Sequence, residues 1–169
     1  MNRHLDLKDK SDSFGWISIA LHGATATVIL TMWFIGQSIY SQSSPESVDA
    51  AKNLHITIGL LSWALIAGRI AWRIRNGHPR VAGQTLRTHR IARSAHYLML
   101  GLLSVVIITG PLMAWLGSWG SALFSLLHTI HGIAANVLFA LIVVHILASL
   151  KHLMFHEDET IVRILMPKK

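Results

Sequence analysis

Four long stretches of the chain carry almost no charge, and this pattern limits the fold more than any other feature. They cover residues 14–39, 53–74, 95–116 and 126–150. A helix of about 20 apolar residues crosses the hydrocarbon core of a bilayer, since each residue adds about 1.5 Å. The composition, 52% hydrophobic and 14% charged, is also typical of a membrane protein. We therefore predict an all-α membrane protein, a single four-helix transmembrane bundle over residues 1–169.

Lysine and arginine are distributed unevenly between the two sides of this bundle. Fourteen of the fifteen lie in the N-terminal leader, between Arg69 and Arg93 around the loop after the second stretch, or at the C-terminal end, and only Lys52 lies on the other side. Segments rich in lysine and arginine stay in the cytoplasm, so both termini are predicted to be cytoplasmic. Because the arginines lie at the level of anionic headgroups, the net charge of +7 indicates membrane lipid, and not nucleic acid, as the partner. Residues 41–47, SQSSPES, are expected to form a flexible outer loop.

Four of the eleven histidines, His22, His55, His131 and His145, lie well inside the apolar stretches. An ionisable side chain at membrane depth is costly, and it usually faces the bundle interior and has a functional partner. The segment HGIAANVLFALIVVH begins and ends on two of them, and only Asn136 between them is appreciably polar. Fourteen residues of helix bring the two rings to one face, about 21 Å apart along the axis.

Depth in the bilayer pairs these four histidines. His55 and His131 fall near the outer surface, and His22 and His145 fall near the inner one. Neither pair has a third ligand at its depth, which a zinc or copper site would need. A porphyrin supplies four nitrogens and needs only two axial imidazoles, while the absence of cysteine excludes covalently attached haem. The sequence thus predicts two non-covalent haem b groups, with these histidines as axial ligands.

Other residues have candidate roles near the cofactors. Gly59, one turn after His55, permits close approach of a bulky ring. Arg69 can pair with a haem propionate or extend to lipid headgroups, and both alternatives stay open. His96 and His152 lie at the edge of the inner site and could play a similar role beside the inner haem, and for them too the question stays open. His128 is one turn before His131 but about 100° from the face of His145, so His131 is the better ligand. Solvated side chains are expected for His4, His78, His89 and His156.

Several motifs resemble the bacterial cytochrome b561 family, small di-haem membrane cytochromes related to the b subunits of nickel-iron hydrogenases. They are SIALHG around His22, HITIG with Arg69 and Arg73 downstream, AHYLMLGLLSVVIITG at His96, and HGIAANVLFALIVVH followed by LKHLMFHEDETIVRILMPKK. The resemblance covers nearly the whole chain and implies axial ligands at His22, His55, His131 and His145. It also implies a bacterial inner-membrane protein that transfers electrons between a quinone and a reactant at the outer surface. The best-known activity of such short members is oxidation of superoxide on the periplasmic side, with delivery of electrons to ubiquinone.

Three functions remain open from the sequence. The first is a stand-alone oxidoreductase with a small periplasmic reactant, and the second is a cytochrome b subunit that relays electrons for a partner dehydrogenase or hydrogenase. The third is a haem-free protein that binds or moves a metal or proton through its histidines. The outer segments set Lys52 against Glu46 and Asp49, so they lack the positive charge that would attract superoxide. An exposed apolar face can serve a homodimer or simply lipid.

Overall fold

The structure is a computed structural model in which residues 6–10, 13–79, 85–117 and 121–155 are described, without the side chains of residues 152, 153 and 155. These residues form four α-helices in up-and-down order: α1 (Trp16–Ile39), α2 (Pro45–Asn76), α3 (Leu86–Leu116) and α4 (Ala122–Phe155). All four are long and apolar enough to span a membrane. The predicted four-helix bundle is therefore confirmed.

Three of the helices extend beyond the predicted stretches. α2 begins at Pro45, where Ser44 and Ser47 form a capping box, so the predicted loop at residues 41–47 is wrong in its second half. α3 begins at Leu86, where the side chain of Thr85 accepts a hydrogen bond from the backbone N–H of Thr88. α4 reaches Phe155. A hydropathy pattern detects only the part of a helix inside the hydrocarbon, while capping residues decide where the helix begins.

The helices pack mainly against their neighbours in the chain. Contacts are densest between α3 and α4 and between α1 and α2. They are sparser between α2 and α3, and sparser still between α1 and α4. Ile66, Leu103 and Leu138 form the centre of the core, on α2, α3 and α4 respectively. We call the end of the bundle that holds Trp16, Asn76 and Leu86 the arginine-rich end, and the other the opposite end.

A proline in α3 is matched by a tryptophan in α2. Pro111 lies inside the helix and has no N–H group, so the carbonyl of Ile107 loses its usual partner four residues later. The indole N–H of Trp63 donates to this carbonyl at 3.0 Å. A backbone group without a partner is costly within a membrane, so this contact both satisfies the carbonyl and links the two helices.

The segment before α1 folds back against the arginine-rich end. Asp9 forms an ion pair with Arg73 at 3.1 Å, and the two side chains are each only 5% exposed. The same carboxylate accepts hydrogen bonds from the backbone N–H of Gly15 and the hydroxyl of Ser18. Arg73 and Trp72 both donate to the hydroxyl oxygen of Ser18, so one buried polar network ties the leader to α1 and α2.

Candidate functional site

His55 of α2 and His131 of α4 lie side by side toward the opposite end. Their ring centroids are 6.3 Å apart and the ring planes are inclined by 79°. The sequence separates them by 76 positions, and the bundle brings them together at the same depth. This is the arrangement expected of the first predicted pair.

Thr109 of α3 contacts Nδ1 of His131 and bears on which nitrogen of the ring carries the proton. Its hydroxyl lies 2.8 Å from the carbonyl of Val105, to which it donates, and 2.9 Å from Nδ1 of His131. Because the hydroxyl has one hydrogen, it accepts from Nδ1–H of the imidazole. The lone pair of the neutral ring is then on Nε2, which is the state a metal ligand requires.

Two glycines with no distinguishing signal in the sequence, Gly36 and Gly110, lie behind these rings. A Cβ atom on Gly36 would be 3.2 Å from Cε1 of His55, and one on Gly110 would be 3.4 Å from Cε1 of His131. Each ring thus lies against a helix backbone that has no side chain at that point. Gly59, which is predicted to permit close approach of the cofactor, lies elsewhere. A Cβ atom added to it would be 3.2 Å from the terminal methyl group of Met32.

The second predicted pair, His22 and His145, lies in a larger cluster at the arginine-rich end. Nη2 of Arg69 donates to Nδ1 of His22 over 2.8 Å. His145 and His96 are among the groups that interact electrostatically with His22. Since a guanidinium group only donates, Nδ1 of His22 accepts, and the proton of the neutral ring is on Nε2. The structure therefore holds His22 in the tautomer opposite to that of His131.

His96 of α3 belongs to the same cluster and lies beside His145 of α4. Its Nδ1 donates to the carbonyl of Ala92 at 2.7 Å, and its ring centroid is 4.9 Å from that of His145. The side chain of His152, which had been given a similar role, lies outside the described residues. His128, the rival of His131, stacks on Phe124 of its own helix, with ring centroids 6.2 Å apart.

The expectation that His78 is solvated is wrong. Its ring centroid is 4.8 Å from that of His96 and 5.3 Å from that of Tyr97. Its Nδ1 is buried and makes no hydrogen bond with the described part of the chain. The pKa of His78 is lowered from 6.5 to about 3, chiefly by burial and in addition by the nearby groups His96, Arg73, Arg69 and Arg93. Gly77, with φ of 65°, ends α2 and turns the chain so that His78 folds inward.

The cluster surrounds a cavity. Its lining combines one aromatic ring, one hydroxyl, two guanidinium groups and three imidazoles: Phe14, Ser18, His22, Arg69, Arg73, His78 and His96. Arg73 is already engaged by Asp9, whereas among the described residues the hydrogen-bond partner of the Arg69 side chain is the imidazole of His22. The cavity is thus suited to a carboxylate or another anion.

Residues 13–167 match the sequence profile of the family described as prokaryotic cytochrome b561. The chain belongs to the prokaryotic cytochrome b561 family. No curated protein matches it with significance. As a member of the b561 family with four membrane-spanning helices, it is a multi-pass bacterial membrane protein, a b-type cytochrome that takes part in electron transfer.

The His55–His131 pair of this b561 protein fits an iron atom held between two imidazoles. An imidazole nitrogen binds a transition metal at about 2 Å and lies about 1.1 Å from its ring centre, so two rings on opposite sides of one metal have centroids about 6 Å apart. The observed 6.3 Å agrees. In the described part of the chain, no group of three or more His, Asp or Glu side chains is arranged to hold a bare metal ion.

Proposed function

We propose that this b561 cytochrome binds two haem b groups and carries electrons between a reactant on the periplasmic side and the membrane quinone pool, with ubiquinone as the expected quinone. One haem is held by His55 and His131, and the other by His22 and His145. The observation that carries this proposal is the first pair, with its 6.3 Å spacing and the contact between Nδ1 of His131 and the hydroxyl of Thr109.

The second pair is supported by its surroundings. At the arginine-rich end, Arg69 is hydrogen-bonded to His22, and His145 is among the groups that interact electrostatically with His22. For His22 to bind iron through Nε2, that nitrogen must lose its proton and Arg69 must separate from the ring. The released guanidinium group is then available to a haem propionate, which it would bind through charge-assisted hydrogen bonds. His22 can therefore be an axial ligand and Arg69 a partner of a propionate in the same protein, provided that cofactor binding separates these two side chains.

The orientation in the bacterial inner membrane follows from charge. Of the fifteen lysines and arginines, fourteen belong to segments that flank the arginine-rich end, and Lys52 is the exception. We therefore propose that this end and both termini face the cytoplasm. The His55–His131 pair then lies toward the periplasm.

The opposite end offers little attraction to an anion. Nζ of Lys52 is 3.6 Å from the carboxylate of Asp49, whose side chain is 73% exposed. The nearby Glu46 adds another negative charge. We therefore propose that the periplasmic reactant is neutral or weakly charged, and that superoxide, if it reacts here, arrives without electrostatic steering.

The protein residues supply position and protonation state. When bound, haem b provides one-electron chemistry at its iron, and the protein tunes it through ligands, hydrogen bonds and burial. His55 and His131 would hold the iron of this group between α2 and α4. Thr109 keeps Nε2 of His131 unprotonated, and Gly36 and Gly110 leave room for the two imidazoles.

The test is a haem count by pyridine haemochrome on the purified wild type and on His55→Ala, His145→Ala and His128→Ala. We expect two haems per chain in the wild type and in His128→Ala, the control on the same helix as His131. The other two variants should each lose one haem, and a different one. Two haems with unchanged spectra in both would contradict the pairing. Turnover of a periplasmic reactant by the purified chain alone, with a quinone analogue present, would support a stand-alone oxidoreductase, whereas co-purification of a large redox subunit would support a partner-dependent one.

A further inference from the structure

Asn136 is the polar residue of its segment that the haem sites leave unexplained. Its Oδ1 accepts hydrogen bonds from the indole N–H of Trp33, at 3.1 Å, and from the side-chain amide of Gln37, at 3.4 Å. Its own NH2 group makes no hydrogen bond with the described residues. The side chains of Asn136 and Gln37 are exposed on the bundle surface, within the membrane-spanning part of α4 and α1. Polar groups in that position are costly and commonly functional.

Aromatic rings adjoin these amides. The rings of Trp33 and Phe139 stack in parallel, with centroids 3.7 Å apart and planes inclined by 5°. Phe34 meets the edge of both. We call the five residues Trp33, Phe34, Gln37, Asn136 and Phe139 the α1–α4 seam. They combine flat apolar surfaces with N–H donors at one place.

The α1–α4 seam lies next to the His55–His131 pair. Gly36, which adjoins the ring of His55, is located between Trp33 and Gln37 on α1. On α4, Asn136 follows His131 by five residues, a rise of about 7.5 Å. The polar and aromatic groups of the seam and the predicted iron ligands thus share two helices and nearly the same level.

The seam is open toward the bilayer. α1 and α4 contact each other much less than α1 contacts α2 or α3 contacts α4. A molecule dissolved in the lipid can therefore approach the seam from the side without crossing the headgroup region.

We propose that the α1–α4 seam binds the head group of the membrane quinone, and this proposal rests on the function proposed above. A quinone is a flat, lipid-soluble ring with two carbonyl acceptors. The amide groups of Gln37 and Asn136 donate to one carbonyl, and the Trp33–Phe139 stack packs against the ring. Full conversion of quinone to quinol takes two electrons, which the periplasmic reactant would supply, and two protons from water.

The first experiment compares quinone kinetics in variants. Holoprotein with reduced haems is mixed with a short-chain ubiquinone analogue, and the rate of haem oxidation is followed as its concentration changes. We expect Asn136→Leu and Gln37→Leu each to raise the apparent KM by at least about fivefold, the effect of losing one hydrogen bond. Asn76→Leu is the control, because this exposed amide contacts the carbonyl of Trp72 at the arginine-rich end. Its KM should equal that of the wild type.

The outcomes separate the two proposals. If the wild type is not oxidised by any quinone, the proposed function fails. If the wild type reacts and both seam variants keep its KM, the seam proposal fails while the function stands. Loss of haem or of thermal stability in the variants would instead indicate that these residues only join α1 to α4.

A second measurement does not depend on variants. A photoreactive ubiquinone analogue is added to the wild-type holoprotein, and the labelled peptides are identified by mass spectrometry. We expect labels within residues 33–37 and 136–139, and competition by unlabelled quinone. Labels confined to the cavity around His22 and His78 would overturn the seam proposal.

Discussion

Oγ1 of Thr109 lies 2.9 Å from Nδ1 of His131 and connects α3 to the predicted ligand on α4. When the hydroxyl gives its one hydrogen to the carbonyl of Val105, which is 2.8 Å away, it accepts from the imidazole. A hydrogen bond to the ring nitrogen that does not bind the metal fixes the tautomer and orientation of a metal-binding histidine.

Thr109→Val should therefore weaken the binding of one haem. The variant keeps the shape of the side chain but leaves Nδ1–H of His131 without its acceptor. We expect a loss of about 10- to 100-fold in haem affinity at that site, or a shifted reduction potential where haem remains. Titration of the apoprotein with haemin measures the first and a redox titration measures the second. Thr109→Ser should behave like the wild type, and equal affinity and potential in the valine variant would contradict the role.

Gly36→Ala and Gly110→Ala should disturb the same haem for a steric reason. The added methyl groups would lie 3.2 Å and 3.4 Å from the imidazole carbons of His55 and His131, tighter than ordinary contact. We expect a lower haem content and an altered absorption band in each. Gly101→Ala, also on α3, is the control, because a Cβ there meets no atom within 4 Å. A full haem complement in both test variants would show that the rings move aside freely.

The Asp9–Arg73 ion pair should contribute strongly to stability. Both side chains are 5% exposed, so Asp9→Leu leaves a buried guanidinium without its counter-charge. Removing one partner of a buried pair costs about 3–5 kcal/mol, whereas replacing both with apolar residues costs much less. The temperature at which helical circular dichroism is lost should fall in Asp9→Leu and recover in part in Asp9→Leu/Arg73→Leu. The exposed pair of Lys10 and Asp6 supplies the control, since Lys10→Ala should change this temperature little.

His78 should make the stability of the protein dependent on pH. Its pKa is lowered from 6.5 to about 3 in the folded chain, mainly by burial, so the unfolded chain binds more protons between these values. The contribution of His78 is therefore complete above pH 6.5 and is lost as the pH falls toward 3. We expect the thermal midpoint of His78→Gln to fall less than that of the wild type between pH 7 and pH 4. His89→Gln provides the comparison, and identical pH profiles for the wild type and His78→Gln would show that His78 titrates normally.

The fold could be predicted from the sequence because hydropathy alone decides how many helices cross a bilayer. Helix ends could not, since the capping box at Ser44 and the turn at Gly77 depend on local hydrogen bonds and backbone angles. The histidine pairs could be predicted because the depth of a residue in the membrane can be counted along each helix. The structure places His55 beside His131 as that count requires, and it places His22 and His145 in one cluster with His96.

The remaining site residues gave no distinctive signal. Thr109 resembles any threonine that bonds to the carbonyl four residues earlier, and its second contact depends on the rotation of α4. Asp9 and Arg73 are 64 residues apart, and among 8 acidic and 15 basic residues nothing marks them as partners. The position of His78 depends on the chain reversal that follows Gly77. These contacts arise from the relative placement of helices, which a local pattern does not contain.

The contact between Trp63 and the carbonyl released by Pro111 makes these two positions interdependent. Trp63→Phe would remove the N–H group that donates to the carbonyl of Ile107. Pro111→Ala would instead restore a backbone N–H group within α3 that can donate to this carbonyl. The double substitution should therefore be milder than the tryptophan change by itself, a non-additive outcome. Sequence redesign of this bundle should treat the two sites as a single choice made across two helices.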